Sequence, residues 1–304
     1  MNLELTLDWS TVSAITLPLL LGVAYFVRVG HLREQGRAPQ TARQASFACG
    51  LALTLVATVG PLDALSDDFV FGHMIQHTML LDEASLLLAI GLTGPVLSPL
   101  LAKPGAERLR ALMYPVVAVG IWILVMFGWH APPLYQAAEE HELIHLCEHA
   151  CFLGAGLLMW LALIGPFPKP RWFGNGARVI YAGTVHFSSM ALANVLMWSG
   201  TVLYPFYVAS DRAHGIAPLD DQSTAGAVLM IQGGIVMLCV FFWVLLRWAK
   251  EETERQELLD FAREQGVALE EERAGRAVAA GRGEELRQRL AARIAPEAHT
   301  TEAR

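Results

Sequence analysis

Histidine residues recur at a spacing of four in two parts of the sequence. One part holds His73 and His77, and the other holds His141, His145 and His149. Residues four apart on an α-helix lie on one face, about 40° from each other around the helix axis. Each such pair can bring two imidazoles to one metal ion, and imidazole suits both zinc and copper. The spacing therefore predicts a metal site that two helices build together.

Two further histidines are candidates for the same site. His130 follows another apolar segment, and its ring would come from a third helix. His186 lies inside a later apolar segment, roughly 18 Å along the helix from Trp198, so it reaches the site only if helices tilt or the site is deep. Met190 and Met197 share its helix face and would offer the thioether ligands that Cu(I) favours.

Carboxylates also occur inside the apolar segments. Asp82 and Glu83 follow the first histidine pair, and a carboxylate at the centre of a bilayer costs at least about 2.5–3.5 kcal/mol, which marks a functional position. Asp82 is expected to bond a polar group such as Asn194 or Gln232, or to belong to a proton or ion path. Glu148, within the second histidine group, is predicted to orient a ligating imidazole from behind, with an ordinary interfacial acid as the alternative.

The elements that carry these residues are predicted to be membrane-spanning helices. Hydrophobic residues make up 54% of the 304 residues and charged residues 17%, against about 25% charged in soluble domains. A bilayer core needs about 20 apolar residues in a helix, and open strands would leave backbone groups unpaired in lipid. The predicted fold class is an all-α integral membrane bundle of seven transmembrane helices, at residues 11–30, 45–62, 70–93, 111–129, 143–164, 179–198 and 225–248.

The basic residues alternate between the two sides of this bundle. The connections after the second, fourth and sixth spans carry only Arg212. The connections after the first, third and fifth spans carry Arg28, Arg33, Arg37, Arg43, Lys103, Arg108, Arg110, Lys169, Arg171 and Arg178. Because basic loops stay in the cytoplasm, the N-terminus is predicted outside and the C-terminus inside. The paired histidines and His130 then share the outer membrane level, beside acidic outer segments.

The sequence changes character after residue 248. Residues 1–248 are predicted to form the seven-helix transmembrane domain, in contact with membrane lipids. Residues 249–304 are charged and are predicted to form a cytoplasmic tail that is helical or partly disordered. Nothing in the composition indicates a nucleic-acid surface.

Five motifs in this order resemble one known family. They are HMIQHTMLL (73–81), WHAPPLYQAA (129–138), HLCEHACFLGAGLLMW (145–160), VHFSSMALANVLMWSGTVLYPFY (185–207) and LDDQSTAGAVLMIQGGIV (219–236). Over about residues 45–248 the chain resembles the CtaG family of cytochrome c oxidase assembly factors, multi-span bacterial membrane proteins. The positions that match its polar signature are His73, His77, His130, His145, His149, His186 and the pair Asp221–Gln222, with His141 matching less firmly.

The resemblance implies a role in assembling a haem–copper oxidase in the bacterial inner membrane. Its implied partners are cytochrome c oxidase subunits or other oxidase assembly factors, and its implied metal is copper, as Cu(I). The leading hypothesis is a non-enzymatic factor that holds copper at the outer face and helps deliver it. Two alternatives are a haem-binding electron-transfer protein, with histidines as axial ligands, and an ion- or proton-coupled transporter that uses Asp82, Glu83 and the histidines. These two acids depart from the apolar run expected after the first motif.

Overall fold

Helices make up all the regular structure of residues 9–301, which are the residues described in the computed structural model; side chains are described for residues 11–292. In chain order the helices are α1 (Trp9–Glu34), α2 (Thr41–Thr58), α3 (Pro61–Asp68), α4 (Val70–Gly91), α5 (Gly94–Leu101), α6 (Ala106–Leu112), α7 (Pro115–Trp129), α8 (Pro132–Glu140), α9 (Glu142–Ile164), α10 (Asn175–Trp198), α11 (Val208–Ala213), α12 (Pro218–Glu264), α13 (Glu271–Ala279) and α14 (Gly283–Thr301).

Four of these helices, α1, α9, α10 and α12, are long and apolar enough to cross a membrane without a break. Three further candidates are bent pairs: α2 with α3 at 43°, α4 with α5 at 90°, and α6 with α7 at 70°. Each predicted apolar run falls on one of these helices or bent pairs, which confirms an all-helical fold with candidate membrane spans. The number of candidate spans lies between four and seven by length and composition.

Prolines account for the bends between the paired helices. Pro61, Pro95 and Pro115 each stand in the first turn of the second helix of a pair. Proline fixes its own φ and has no N–H, so it begins a helix well and cannot continue the preceding one. Gly60 adds a φ of 94° before Pro61, a conformation that residues with a side chain rarely adopt.

Helix α4 is held closely by its neighbours. On one side Gly50 of α2 lies against the carbonyl oxygen of Ala84, and on the other Gly156 of α9 lies against the carbonyl oxygen of Leu81. A side chain at either glycine would collide with the α4 backbone. The helix that carries His73 and His77 is therefore fixed by close backbone packing.

Residues Met79–Ala84 of α4 form a π-helical segment. Such segments displace carbonyls from the regular helical pattern and recur at functional sites. Here the hydroxyl of Ser85 donates to the carbonyl oxygen of Leu81, and Trp160 Nε1 donates to the carbonyl oxygen of Asp82 at 3.1 Å. Side-chain donors thus satisfy the displaced carbonyls. The π-helical segment also rotates the side chains that follow it around the helix axis, relative to those that precede it.

The chain divides into two compact units between Leu238 and Cys239. Within the second unit, Ala262, Leu286 and Leu290 form a small core of their own. The predicted domain boundary at residue 248 lies inside α12, which continues unbroken to Glu264. The boundary at residue 248 marks a change in composition. Because a charged helical segment can continue an apolar one without a break, such a change need not coincide with the end of a helix.

Candidate metal centre

The first turn of α4 is held by a carboxylate from α12. Asp221 Oδ2 accepts the backbone N–H of Val70 at 2.7 Å, and its Oδ1 accepts that of Phe71 at 3.0 Å. The first N–H groups of a helix have no partner within it, and negative charge is favourable there. Asp221, predicted from the resemblance alone, thus caps the helix three residues before His73.

Five of the predicted histidines come together. His73 and His77 extend from α4, His145 and His149 from α9, and His130 from the end of α7; we call these five residues the histidine cluster. The Nε2 atoms of His73 and His77 lie 2.5 Å apart. Ring centroids are 5.1 Å apart for His73 and His145, 6.0 Å for His77 and His149, and 5.3 Å for His77 and His130. The rings therefore converge on one buried volume.

Two overlapping sets of three ligand atoms occur within this volume. The ring nitrogens of His73, His77 and His149 all lie within 4.8 Å of one another. The same holds for ligand atoms of His73, His145 and Glu148. Since a metal ion binds each imidazole nitrogen at about 2.0–2.1 Å, small side-chain adjustments suffice to coordinate one ion with either set.

Glu148 lies among the ring nitrogens. Its Oε2 is 3.5 Å from His73 Nε2, and its Oε1 is 3.5 Å from His77 Nε2. The side chain is fully buried, and no lysine or arginine pairs with it among the described residues. The sequence predicted a carboxylate behind an imidazole, whereas this one occupies a position from which it can itself bind the ion.

The carboxylate behind an imidazole is Glu139. Its Oε1 lies 2.5 Å from His73 Nδ1, and the hydroxyl of Tyr207 is 3.1 Å from the same nitrogen. A carboxylate on this side holds the proton on Nδ1 and directs the Nε2 lone pair towards a metal. The sequence pattern does not single out Glu139, although its spacing of four from Tyr135 places both on one face of α8.

Three tyrosines cover one side of the histidine cluster. The rings of Tyr135 and Tyr204 stack at 3.8 Å, and the hydroxyls of Tyr135 and Tyr207 are 3.5 Å apart. Burial, together with the nearby charge of Glu139, holds the pKa of Tyr135 and the pKa of Tyr207 well above their usual value. Both remain neutral hydroxyl groups that can donate hydrogen bonds.

A thioether that the sequence analysis did not select lies beside His130. The Nδ1 of His130 lies 2.6 Å from the carbonyl oxygen of Met126 and donates to it, which leaves Nε2 as the lone-pair nitrogen. That Nε2 is 3.2 Å from the sulfur of Met74. The thioether of the site therefore comes from α4, at the residue after His73, whereas Met197 packs against Gly226.

Two predicted histidines are not brought to the cluster. His141 is exposed and has extended backbone angles (φ −139°, ψ 110°), because α9 begins at the next residue. It is the N-cap of α9: its carbonyl oxygen accepts the N–H of His145 at 3.0 Å, but its own backbone is not helical, so the helical spacing does not place its side chain. His186 is half-buried on α10; its ring lies against Phe187, and its Nδ1 has no hydrogen-bond partner among the described residues.

Asp82 and Glu83 belong to a separate polar region. Asp82 is buried on the π-helical segment and faces Gly233 of α12, near the hydroxyl of Ser189 on α10. Gln232 bonds Glu83 rather than Asp82. Asn194, the other partner proposed from sequence, is exposed and donates to the carbonyl oxygen of Met190. The rotation that the π-helical segment adds around the axis of α4 contributes to the separation of Asp82 from the histidine cluster.

The charges around the histidine cluster fit a bound cation. Glu139 and Glu148 are both buried, and neither pairs with a lysine or arginine in the described part of the chain. Two buried carboxylates with only imidazoles as charged partners would stabilise a bound cation. The donor set of imidazole nitrogens and carboxylate oxygens suits a metal ion that accepts nitrogen ligands.

Comparison with known proteins adds independent information. Two mycobacterial proteins, "Uncharacterized protein Mb0105" of Mycobacterium bovis and "Uncharacterized protein MT0111" of Mycobacterium tuberculosis, are each 21% identical to this chain over 253 residues, or 77% of its length. The chain spans 38% of the length of these relatives. No solved structure matches it.

A family model described as "Cytochrome c oxidase caa3 assembly factor" matches residues 23–251. This range contains every member of the histidine cluster, Glu139, Glu148 and the capping Asp221, and it confirms the resemblance indicated by the five motifs. The chain belongs to the family of cytochrome c oxidase caa3 assembly factors.

Proposed function

We propose that the protein binds copper, as Cu(I), in the histidine cluster and helps deliver it to a haem–copper cytochrome c oxidase during assembly. The observation that carries this proposal is the convergence of His73, His77 and His149 ring nitrogens within 4.8 Å, beside the buried carboxylate of Glu148. Family membership supports the oxidase as the client. No catalytic step is required of the protein, since holding and releasing an ion is sufficient.

The donor set favours copper over harder ions. Imidazole suits copper and zinc alike, whereas a thioether favours Cu(I). Met74 supplies a thioether next to His130, and Tyr135, Tyr204 and Tyr207 are buried on one side of the cluster. Two overlapping ligand sets that share His73 would let an ion move from one set to the other, which suits transfer better than permanent storage.

We further propose seven membrane crossings, with each bent pair counted once, in the bacterial inner membrane. The N-terminus then lies outside and the C-terminus in the cytoplasm, because the basic loops occupy the opposite side from the histidine cluster. The histidine cluster would then face the outer side of the membrane. Oxidase subunits or other assembly factors are the expected partners at this face.

Haem is a weaker candidate for the same residues. Axial ligation needs two histidines separated by a slot wide enough for the macrocycle. The ring nitrogens of His73 and His77 are 2.5 Å apart, and those of the first ligand set lie within 4.8 Å. A transporter would need Asp82 and Glu83 to join the histidines, and they face α10 and α12 instead.

A complementation experiment tests the proposed function. Bacteria that lack the protein would receive the wild type, His73→Ala/His77→Ala, or the matched control His141→Ala/His214→Ala, whose residues are exposed. The first variant should yield oxidase with normal haem, reduced copper and reduced activity, with partial recovery when copper is added to the medium. Oxidase with the full copper content from the His73→Ala/His77→Ala strain would contradict the proposal.

A further inference from the structure

A cavity of about 310 Å³ reaches the histidine cluster from the side of α1. Helices α1, α2, α3, α4 and α9 bound it, and His145 and His149 form part of its wall. This volume has room for several water molecules. It can therefore contain a metal ion together with part of its hydration shell.

The wall of the cavity is divided between acidic and apolar residues. Asp63 and Asp67 of α3 and Glu142 of α9 supply three carboxylates, whereas Leu51 and Leu153 belong to the apolar part. Asp67 and Glu142 are exposed, and Asp63 accepts a hydrogen bond from Gln76 at 3.1 Å. The acids thus lie between solvent and the imidazoles of α9, where they attract cations.

A second observation connects this acidic region to a ligand. His149 is about nine-tenths buried and lines the cavity, and its Nε2 has no hydrogen-bond partner among the described residues. The Nε2 of His145, one turn earlier on the same face, also has none. Buried polar atoms without partners are rare in folded proteins and need a reason. An arriving metal ion would provide both nitrogens with a partner.

We propose that this cavity is the entry vestibule of the metal centre. A cation is drawn in by Asp67 and Glu142, exchanges water for the imidazoles of His145 and His149, and then passes to His73 and His77. The inference rests on the proposed function, because it adds to the same metal centre an entry route for the ion and a preference for positively charged copper species. It predicts that the acids control the rate of loading, while the histidines control how much copper is bound at equilibrium.

The test is stopped-flow loading of detergent-purified full-length protein with cationic tetrakis(acetonitrile)copper(I) under anaerobic conditions, followed by intrinsic fluorescence. Asp67→Asn/Glu142→Gln should load ~10-fold more slowly than wild type at ~10 mM ionic strength, because clefts of one charge sign raise cation on-rates by about 10- to 1,000-fold. The difference should disappear near ~1 M salt, where the screening length falls to about 3 Å. The final amount of bound copper should be unchanged.

Glu140→Gln/Asp220→Asn is the matched control, since it removes the same charge from exposed residues that do not line the cavity. It should load at the wild-type rate. A second variant, Ala150→Phe, narrows the cavity without changing its charge and should slow loading at both ionic strengths. If the acidic double variant loads as fast as its control at low salt, the vestibule is refuted. In that case, a normal final amount of bound copper would still support the metal centre itself. If the wild type itself takes up no copper, both proposals fail.

Discussion

Replacing Glu139 by glutamine should weaken copper binding without removing a ligand. The carboxylate lies 2.5 Å from His73 Nδ1, on the opposite side of the ring from the Nε2 that faces the cluster. Glutamine keeps an oxygen acceptor for the Nδ1 proton and loses the negative charge. His73 should therefore keep its orientation while its Nε2 becomes a poorer donor.

The size of the effect follows from the geometry. An ion bound at His73 Nε2 would lie roughly 6 Å from the Glu139 carboxylate, because the metal–nitrogen bond adds about 2.0 Å to the width of the ring. At that distance and an effective dielectric constant of about 20, the charge contributes about 2.8 kcal/mol, or ~100-fold in affinity. Carboxylates behind a ligating histidine typically contribute 10- to 100-fold. We therefore expect the copper dissociation constant to rise 10- to 100-fold.

Competition titration against a chromogenic Cu(I) chelator, in detergent and without oxygen, measures this constant. Glu140→Gln is the matched control: it removes the same charge from the next residue, which is exposed and accepts a hydrogen bond from Gln136 at 3.1 Å. Solvent screening should limit its effect to less than about twofold. Equal dissociation constants for the two variants would refute the role assigned to Glu139.

Three further predictions concern the supports of the site. Asp221→Asn should lower stability by about 1–3 kcal/mol, measured as thermal unfolding in detergent, since only one side-chain oxygen remains and one of the N–H groups of Val70 and Phe71 loses its acceptor; an unchanged unfolding temperature would contradict the cap. Gly156→Ala should cost about 1–3 kcal/mol, because its methyl group meets the carbonyl oxygen of Leu81, whereas Gly154→Ala, with open space at its Cβ, should be near neutral in the same assay. Burial, together with the neighbouring carboxylate of Asp221, raises the pKa of Asp211 to about 6. Between pH ~4 and about 6, the Asp211 carboxyl is protonated in the folded state and ionised in the unfolded state. Its contribution to the free energy of unfolding, on the order of 1 kcal/mol, is therefore present below pH ~4 and is lost as pH rises through about 6. Unfolding temperatures between pH 4 and 7 should show this slope in the wild type and a smaller one in Asp211→Asn, and equal slopes would exclude it.

The part of the site that sequence could predict depends on regular helices. Spacings of four within α4 and α9 place His73 with His77 and His145 with His149, and any helix of this length keeps those pairs on one face. The same rule gave the wrong result for His141, because it assumed that the helix begins before that residue. No pattern in the apolar segment itself indicates that α9 starts at Glu142.

The remaining contacts depend on tertiary structure. Glu139 and Tyr207 reach His73 from α8 and from the turn before α11, two short segments whose packing no periodicity describes. Asp221 meets the start of α4 across about 150 residues of chain. The π-helical segment at Met79–Ala84 also gives Asp82 a direction relative to His77 that the spacing of a regular α-helix does not predict.

The most direct test of the central claim is metal analysis of the purified protein. Wild type, His73→Ala/His77→Ala and His141→Ala/His214→Ala would be loaded with copper under reducing conditions, desalted, and examined by elemental analysis and visible absorption. We expect about one copper per chain in the wild type and in the control, a large loss in His73→Ala/His77→Ala, and no Soret band in any sample. Equal copper in all three, or a Soret band that disappears with His73 and His77, would contradict a copper centre in the histidine cluster.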